Sequence, residues 1–172
     1  MTLDPRRYPL GPIQDLLGQD AATLAEVATR MEGAAREWRE VLADLDPEAL
    51  ARTFRPGSWT VGQLAHHTAD AHLHGLNRLR YALTTEEYVI QPFDQEAWLT
   101  LPDAALPVAV ALDLLDAVNA HWIALLRGLR PEQLARRVTH PQEGEQDLWR
   151  LVAKHDWHLR HHLAQVRLAL GR

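Results

Sequence analysis

The amino-acid sequence predicts an all-α protein built as a four-helix bundle with long crossover loops and short extra helical turns. Ala and Leu, which both favour helices, are the two most frequent of its 172 residues. Four long stretches carry apolar residues at a spacing near 3.6, and Pro and Gly punctuate the connections between them. The length is typical of one domain, so we expect residues 1–172 to form a single folded unit.

The first two predicted helices each begin at a recognisable capping residue. The first runs from about Asp20 to Ala43, and the Asp20 carboxylate can accept a hydrogen bond from a free amide of the first turn. The second runs from about Val61 to Leu83. Just before it, Thr60 and Gln63 stand three residues apart, which is the spacing of a capping box.

The last two predicted helices are bounded by proline and glycine. The third begins near Pro107, because proline is favoured at the first helical position, and it continues to Gly128. The fourth follows Asp147 and extends to Leu170. Gly171 stands directly after it, where a glycine commonly ends a helix.

The connections carry shorter elements. Residues 46–50 and 130–134 each place Pro at the start of a single helical turn. Residues 136–140 form a candidate strand that pairs across the turn after it. The loop over 84–107 is long for a bundle and is expected to hold a short helix near 94–99, and long ordered loops are often functional.

Composition excludes several classes of function. The 23 acidic residues outnumber the 18 basic ones and give a net charge of −5, which argues against a nucleic-acid-binding surface. With no cysteine there is no disulfide, no thiolate nucleophile and no cysteine-based zinc finger. No run approaches the roughly 18 to 20 uninterrupted apolar residues of a membrane span. The N-terminus lacks the hydrophobic stretch of a secretory signal, so the expected compartment is the cytoplasm.

Histidine is the unusual feature of the composition, with ten residues in the chain. His158 and His162 are four residues apart, so they share a helix face and can offer two imidazoles to one metal. A third imidazole from a facing helix would complete a site with one open position, as in catalytic zinc centres. Eight of the ten lie on the second and fourth predicted helices: His66, His67, His72, His74, His155, His158, His161 and His162.

Spacing alone leaves other interpretations open. A histidine pair four apart also arises by chance, and His155 shares a face with both His158 and His162, which makes it a rival ligand. His121 and His140 are expected to be solvated or structural. The remaining residues whose roles spacing does not fix are His66, His72, His74 and His161. Four tryptophans are expected in the core or an interface: Trp38, Trp122, Trp149 and Trp157.

Two histidine motifs carry a family resemblance. The segment 55–72, RPGSWTVGQLAHHTADAH, resembles the opening motif of the YfiT-type proteins of the DinB-like superfamily, which are described as metal-dependent hydrolases and include the bacillithiol transferases. The segment 156–165, DWHLRHHLAQ, resembles their second histidine motif. Three shorter stretches, 7–11, 92–98 and 139–141, are similar to family segments in the same order, so the resemblance spans nearly the whole chain.

The resemblance implies a four-helix bundle that binds a divalent metal, zinc or nickel, through His67, His158 and His162. Asp70 lies one helical turn from His67, where we expect it to accept a hydrogen bond from the imidazole and fix its tautomer. The sequence departs from the family at Ala71, where relatives often have Ser, and at Gln165, where they often have His. Those differences leave the shape of the pocket, and therefore the substrate, open.

Three functions follow from an open metal site with neutral imidazole ligands. Such a dication keeps its full charge, stabilises a bound thiolate and lowers the pKa of bound water from 15.7 towards about 7. The resemblance favours an S-transferase that joins a low-molecular-weight thiol, such as bacillithiol, to an electrophilic small molecule. The alternatives are a hydrolase that uses metal-bound hydroxide on an amide or ester, and a non-catalytic metal-binding stress protein. The resemblance also implies a homodimer. Arg78 and Arg160, which lie near the motifs, are candidates to bind carboxylates of the thiol.

Overall fold

Four long helices pack side by side in the computed structural model, which describes residues 4–172. Two shorter helices, two 3-10 turns and one hairpin connect them, so the predicted all-α bundle is confirmed. The elements in chain order are α1 (Ala21–Leu42), α2 (Pro47–Leu50), α3 (Val61–Thr84), α4 (Gln95–Trp98), a 3-10 turn (Pro102–Ala105), α5 (Val108–Gly128), a second 3-10 turn (Pro131–Ala135), β1 (Arg137–His140), β2 (Gly144–Asp147) and α6 (Leu148–Leu170).

The helix boundaries follow the capping residues seen in the sequence. The Asp20 carboxylate accepts a hydrogen bond from the Thr23 amide at 2.8 Å. Thr60 and Gln63 bond reciprocally, with amide-to-side-chain distances of 3.2 and 2.9 Å, and so form the predicted capping box. Gly171 adopts a left-handed φ of 72° after α6, a conformation that glycine adopts without steric cost.

Pro107 differs from its predicted position by one residue. It precedes α5 as the capping residue, with an extended ψ of 141°, so the first helical position falls on Val108. The short strand is confirmed as β1, which pairs antiparallel with β2 so that His140 lies opposite Gly144. The predicted helix in the long loop is confirmed as α4, and the Asp94 side chain caps it.

The four long helices alternate around the bundle in the order α1, α5, α3, α6. Both α1 and α3 pack against α5 and against α6. Consecutive helices α1 and α3 therefore lie on a diagonal, and the segment 43–60 crosses between them. As a result α3 and α6, the two histidine-rich helices, are neighbours although α5 lies between them in the chain.

Tryptophan side chains anchor the core. Trp38 and Trp122 are fully buried, and each indole N–H donates to a backbone carbonyl. The Trp38 bond to the Leu159 carbonyl is 3.0 Å, and the Trp122 bond to the His72 carbonyl is 3.1 Å. These bonds satisfy the indole donors and tie α1 and α5 to the helices that carry the histidines.

Among residues 4–172, α5 is the one helix long and apolar enough, by length and composition alone, to cross a membrane. Its buried face, which includes Leu112 and Leu115, packs into the bundle. Its outer face carries Asp113 and Asp116, which pair with Arg39 at 2.7 and 2.6 Å. The helix is therefore amphipathic, with one face packed into the bundle and acidic residues on the other.

Candidate metal centre

Three histidines from the two neighbouring helices meet in one cluster. His67 comes from α3, and His158 and His162 come from successive turns of α6. The His158 Nε2 atom lies 3.1 Å from the His67 Nε2 atom and 3.0 Å from the His162 Nε2 atom. All three ligand atoms lie within 4.8 Å of one another. The structure therefore brings together the three residues that the sequence singled out.

The geometry and charge state of this cluster fit a divalent cation. Two nitrogens that each lie 2.0–2.1 Å from one tetrahedral ion are about 3.3 Å apart, close to the distances seen here. Burial lowers the pKa of His67 to about 4. Burial, followed by the neighbouring imidazoles, also holds the pKa values of His158 and His162 well below the usual range. Neutral imidazoles with converging Nε2 atoms are the form that binds metal.

Gln165 fixes the orientation of His162. Its Oε1 atom accepts a hydrogen bond from Nδ1 of His162 at 2.7 Å, which places the proton on Nδ1 and leaves the Nε2 lone pair free. Its Nε2 atom donates to the Arg7 carbonyl at 2.9 Å and to His161 Nε2 at 3.0 Å. No role for Gln165 was expected from the sequence, although its position three residues after His162 places the two on one helix face.

Asp70 lies beside His66 and not in a hydrogen bond with His67. Within residues 4–172 no hydrogen bond joins Asp70 to His67, and the titratable side chains that act on Asp70 are His66 and Asp103. Burial raises the pKa of Asp70, the His66 imidazole opposes this shift, and the Asp103 carboxylate adds to it. Asp70 follows His66 by four residues, and the i,i+4 spacing places it on that side of the helix.

His155 faces a different part of the core from the three clustered imidazoles. Its ring packs against Gly75 of α3, where an added Cβ would overlap it, and lies 5.2 Å from the Trp122 ring. The centroid distance to the His158 ring is 6.4 Å. His155 therefore lies outside the cluster, because the small residue at position 75 opens a separate space for its ring.

Aromatic rings flank two further histidines. His74 stacks on Phe93 at 4.6 Å and contacts Trp98 edge-on at 4.8 Å, which ties α3 to the long loop. His161 stacks on Trp157 at 4.1 Å. Trp157 was expected in the core or an interface; it is half-buried and lines a cavity at the cluster.

The remaining histidines have structural partners. The Nε2 atom of His72 lies 3.3 Å from Oδ1 of Asn119 in the core. The Nδ1 atom of His140 accepts bonds from the amides of residues 142 and 143, both at 3.2 Å, and so holds the hairpin turn. His121 is exposed and accepts a bond from Arg80 at 3.1 Å.

A cavity of about 310 Å³ opens onto the three-histidine cluster. Trp59 forms one wall, with its ring 4.5 Å from that of His67 and its Nε1 atom donating to Glu96 at 3.1 Å. The volume lies at the small end of the range for small-molecule sites. The lining includes Arg7, Tyr8, Phe54, Arg55, Trp59, Glu96, Trp157 and the three histidines.

The arginines in this cavity are not those expected from the sequence. Arg160 bonds to the buried Asp156 carboxylate at 3.0 Å, and Arg78 donates to the Gln91 carbonyl at 3.0 Å. Neither of them lines the cavity, whereas Arg7 and Arg55 do. These two belong to segments quoted for the family resemblance, but only the folded chain shows that both segments reach α6.

Comparison with known proteins yields relatives over almost the full length. The sequence profile of the DinB superfamily matches residues 30–166. A protein of Oceanobacillus iheyensis named "Putative metal-dependent hydrolase" is 34% identical over 160 residues, covering 93% of each chain. A protein of Bacillus mycoides with the same name is also 34% identical, covering 93% of this chain and 92% of its own.

Solved structures show the same architecture. YfiT from Bacillus subtilis, described as a probable metal-dependent hydrolase with an unusual four-helix bundle topology, superposes with a TM-score of 0.88 at 26% identity. The match covers 98% of this chain and 95% of YfiT. A mycothiol-dependent maleylpyruvate isomerase shares the fold at 17% identity and a TM-score of 0.66, over 83% of this chain and 60% of the isomerase.

Proposed function

The chain belongs to the DinB superfamily, and from this premise we propose that it is a metal-dependent S-transferase. It would join a low-molecular-weight thiol, such as bacillithiol, to an electrophilic small molecule. The observation that carries the proposal is the cluster of His67, His158 and His162 at a cavity of small-molecule size. These residues would hold the metal, for which we propose zinc or nickel.

The thiol of the proposed reaction is a separate small molecule, because the chain contains no cysteine. A divalent metal at the three imidazoles would supply the positive charge that keeps a coordinated thiol deprotonated at neutral pH. The chain has no cysteine of its own, so any sulfur nucleophile must arrive as a substrate. The isomerase that shares this fold is named as mycothiol-dependent, which supports the use of a small thiol by this architecture.

The chain's own residues would position the reactants. The bond from His162 to Gln165 keeps the imidazole in the tautomer that binds metal. Trp59 and Trp157 present apolar surface at the cavity, where an electrophile with an apolar body can pack and displace water. In the reaction a carbon–sulfur bond forms and the thiol gives up its proton to solvent. With a haloaromatic acceptor the carbon–halogen bond breaks and halide leaves, whereas with an epoxide a ring carbon–oxygen bond opens and the oxygen takes up a proton.

Hydrolysis of an ester or amide is the second candidate, and the names of the relatives favour it. The same three imidazoles would serve it, because a divalent metal acidifies water as well as thiols. The cavity also offers the Glu96 carboxylate, which the Trp59 indole holds by a hydrogen bond. The two candidates therefore share the metal centre and differ in the nucleophile.

A thiol-consumption assay separates them. Metal-loaded protein is mixed with bacillithiol or another small thiol and a haloaromatic or epoxide acceptor, and the loss of free thiol is followed. We expect metal-dependent loss that collapses in His158→Ala and persists in His121→Ala, which alters an exposed histidine outside the cluster. Ester or amide cleavage without thiol loss would establish the hydrolase instead. A metal-loaded protein that does neither would be a non-catalytic metal binder.

A further inference from the structure

Arg7 and Arg55 line the same cavity as the three histidines, and within residues 4–172 neither side chain pairs with a carboxylate. We propose that Arg7 and Arg55 form a carboxylate-binding subsite, so that the thiol brought to the cluster carries a carboxylate. The inference rests on the proposed thiol chemistry for the other end of the ligand. It assigns recognition of the carboxylate to two residues of the cavity.

Arg55 extends from a rigid turn. The amide of Ser58 donates to the Arg55 carbonyl at 3.1 Å, and Gly57 between them takes a φ of 72°, which closes a type II-like turn. The Ser58 hydroxyl donates a second bond to the same carbonyl at 2.9 Å. The Nε atom of Arg55 is buried and has no hydrogen-bond partner among the described residues. A charged donor buried without a partner is costly, and a bound anion would remove that cost.

Arg7 reaches the cavity from the N-terminal segment. Its carbonyl accepts a bond from Gln165 at 2.9 Å, so the side chain that orients His162 also fixes the backbone of Arg7. Its guanidinium carbon lies 5.5 Å from the centre of the Tyr8 ring. Arginines elsewhere in the structure often pair with a carboxylate at 2.6 to 3.0 Å, as do Arg39, Arg150 and Arg167.

The local charge favours an anionic ligand. The two arginines of this lining outnumber Glu96, which is its acidic side chain and is bonded to Trp59. The cavity is therefore positive on a chain whose net charge is −5. A guanidinium offers two parallel N–H groups to the two oxygens of a carboxylate. The aromatic walls between the arginines and the histidines suit a short apolar spacer.

The test uses matched thiols on cobalt-substituted protein, with the thiolate-to-metal absorption band as the measure of binding. The probes are 3-mercaptopropionate and 6-mercaptohexanoate, each against the hydroxy thiol of the same length. Of the two carboxylate thiols, the one that binds more tightly should exceed the affinity of the hydroxy thiol of the same length by at least about tenfold. Arg55→Gln and Arg7→Gln should each reduce that preference without changing the affinity for the alcohol.

The controls are Arg52→Gln and Arg6→Gln, which alter neighbouring arginines that do not line the cavity and should keep the preference. If both Arg55→Gln and Arg7→Gln keep the preference for the carboxylate thiol over the hydroxy thiol, the two arginines do not form the proposed subsite. Equal binding of 3-mercaptopropanesulfonate with the same dependence on arginine would overturn the carboxylate assignment in favour of a general anion site.

A measurement on metal-free protein separates this inference from the proposed function. Hexanoate is titrated into the protein, and the Nε–H signal of Arg55 is followed by nuclear magnetic resonance. We expect a saturable shift that is weakened in Arg7→Gln, which keeps the Arg55 signal but removes the other arginine of the subsite. If thiols give no absorption band but hexanoate still shifts this signal, the proposed thiol chemistry is wrong and the carboxylate subsite is supported. If the hydroxy thiols bind the metal and the signal does not move, the subsite fails alone.

Discussion

Gln165 holds His162 by a 2.7 Å hydrogen bond from the imidazole Nδ1 atom to the amide Oε1 atom. The same amide donates to the Arg7 carbonyl and to His161, so one buried side chain connects the cluster with the wall of the cavity. This bond fixes both the proton on Nδ1 and the orientation of the ring. The unprotonated Nε2 atom therefore faces the other two imidazoles.

Replacing Gln165 by a side chain without an acceptor should weaken metal binding. We expect Gln165→Met, which is close in size, to lower the affinity for zinc by about 10- to 100-fold, because His162 loses the partner that fixes its tautomer. Competition with a chromophoric chelator measures the affinity. Gln165→Glu retains the acceptor and should bind at least as tightly as the parent. Equal weakening in both variants would show that the hydrogen bond does not matter.

Gly75 should be intolerant of a side chain. A Cβ at this position would overlap the His155 ring, so Gly75→Ala is expected to destabilise the fold by about 1–3 kcal/mol despite the better helix propensity of alanine. Urea unfolding of the metal-free protein measures the change. The matched control is Gly33→Ala in α1, where a Cβ meets nothing within 4 Å and should stabilise by up to about 1 kcal/mol.

The cause of the Gly75 effect can be isolated with His155. In a His155→Ala background the overlap disappears, so adding Gly75→Ala should cost less than it does in the parent. The coupling free energy from this double-mutant cycle is then the measure of the contact. Additive losses from the two substitutions would mean that the ring of His155 does not occupy the space beside Gly75.

Acid should destabilise the metal-free protein between pH 6.5 and about 4. Burial lowers the pKa values of His67, His72 and His161 to about 4, whereas unfolded histidine titrates near 6.5. As the pH falls through this interval, the unfolded chain takes up protons that the folded chain does not. The free energy of unfolding therefore falls with decreasing pH, by about 3 kcal/mol for a fully buried imidazole such as His72, and these groups add nothing above 6.5.

Chemical denaturation at a series of pH values measures this slope. His72→Gln, which removes one buried imidazole but retains an amide donor for Asn119, should flatten the dependence between pH 6.5 and 4. His121→Gln, which changes an exposed histidine, is the control. Stability that does not fall as the pH decreases from 6.5 to 4 would show that these imidazoles are protonated in the fold.

The helices were predictable from the sequence because their boundaries depend on neighbours in the chain. Asp20 and the pair Thr60 and Gln63 cap helices through contacts within three residues, so the local sequence carries the information. The pairing of His158 with His162 is equally local. Pro107 shows the limit of such patterns, because its residue type marks a helix start without fixing whether the helix includes it.

The rest of the site depends on contacts between distant parts of the chain. Arg7 reaches Gln165 across 158 positions, and Trp59 packs on His67 from the loop before α3. No periodicity within one helix reports such contacts. His155 was equivalent to the clustered histidines by spacing, and only the packing of its ring against Gly75 of another helix separates it from them.

The metal content of protein purified without an affinity tag tests the three-histidine centre most directly. Elemental analysis of the parent chain should find one divalent metal per chain, with zinc or nickel as the metal we propose. His67→Ala, His158→Ala and His162→Ala should each fall well below one, while His121→Ala should match the parent. A parent protein with far less than one metal per chain, or a His158→Ala variant that retains it fully, would contradict the assignment.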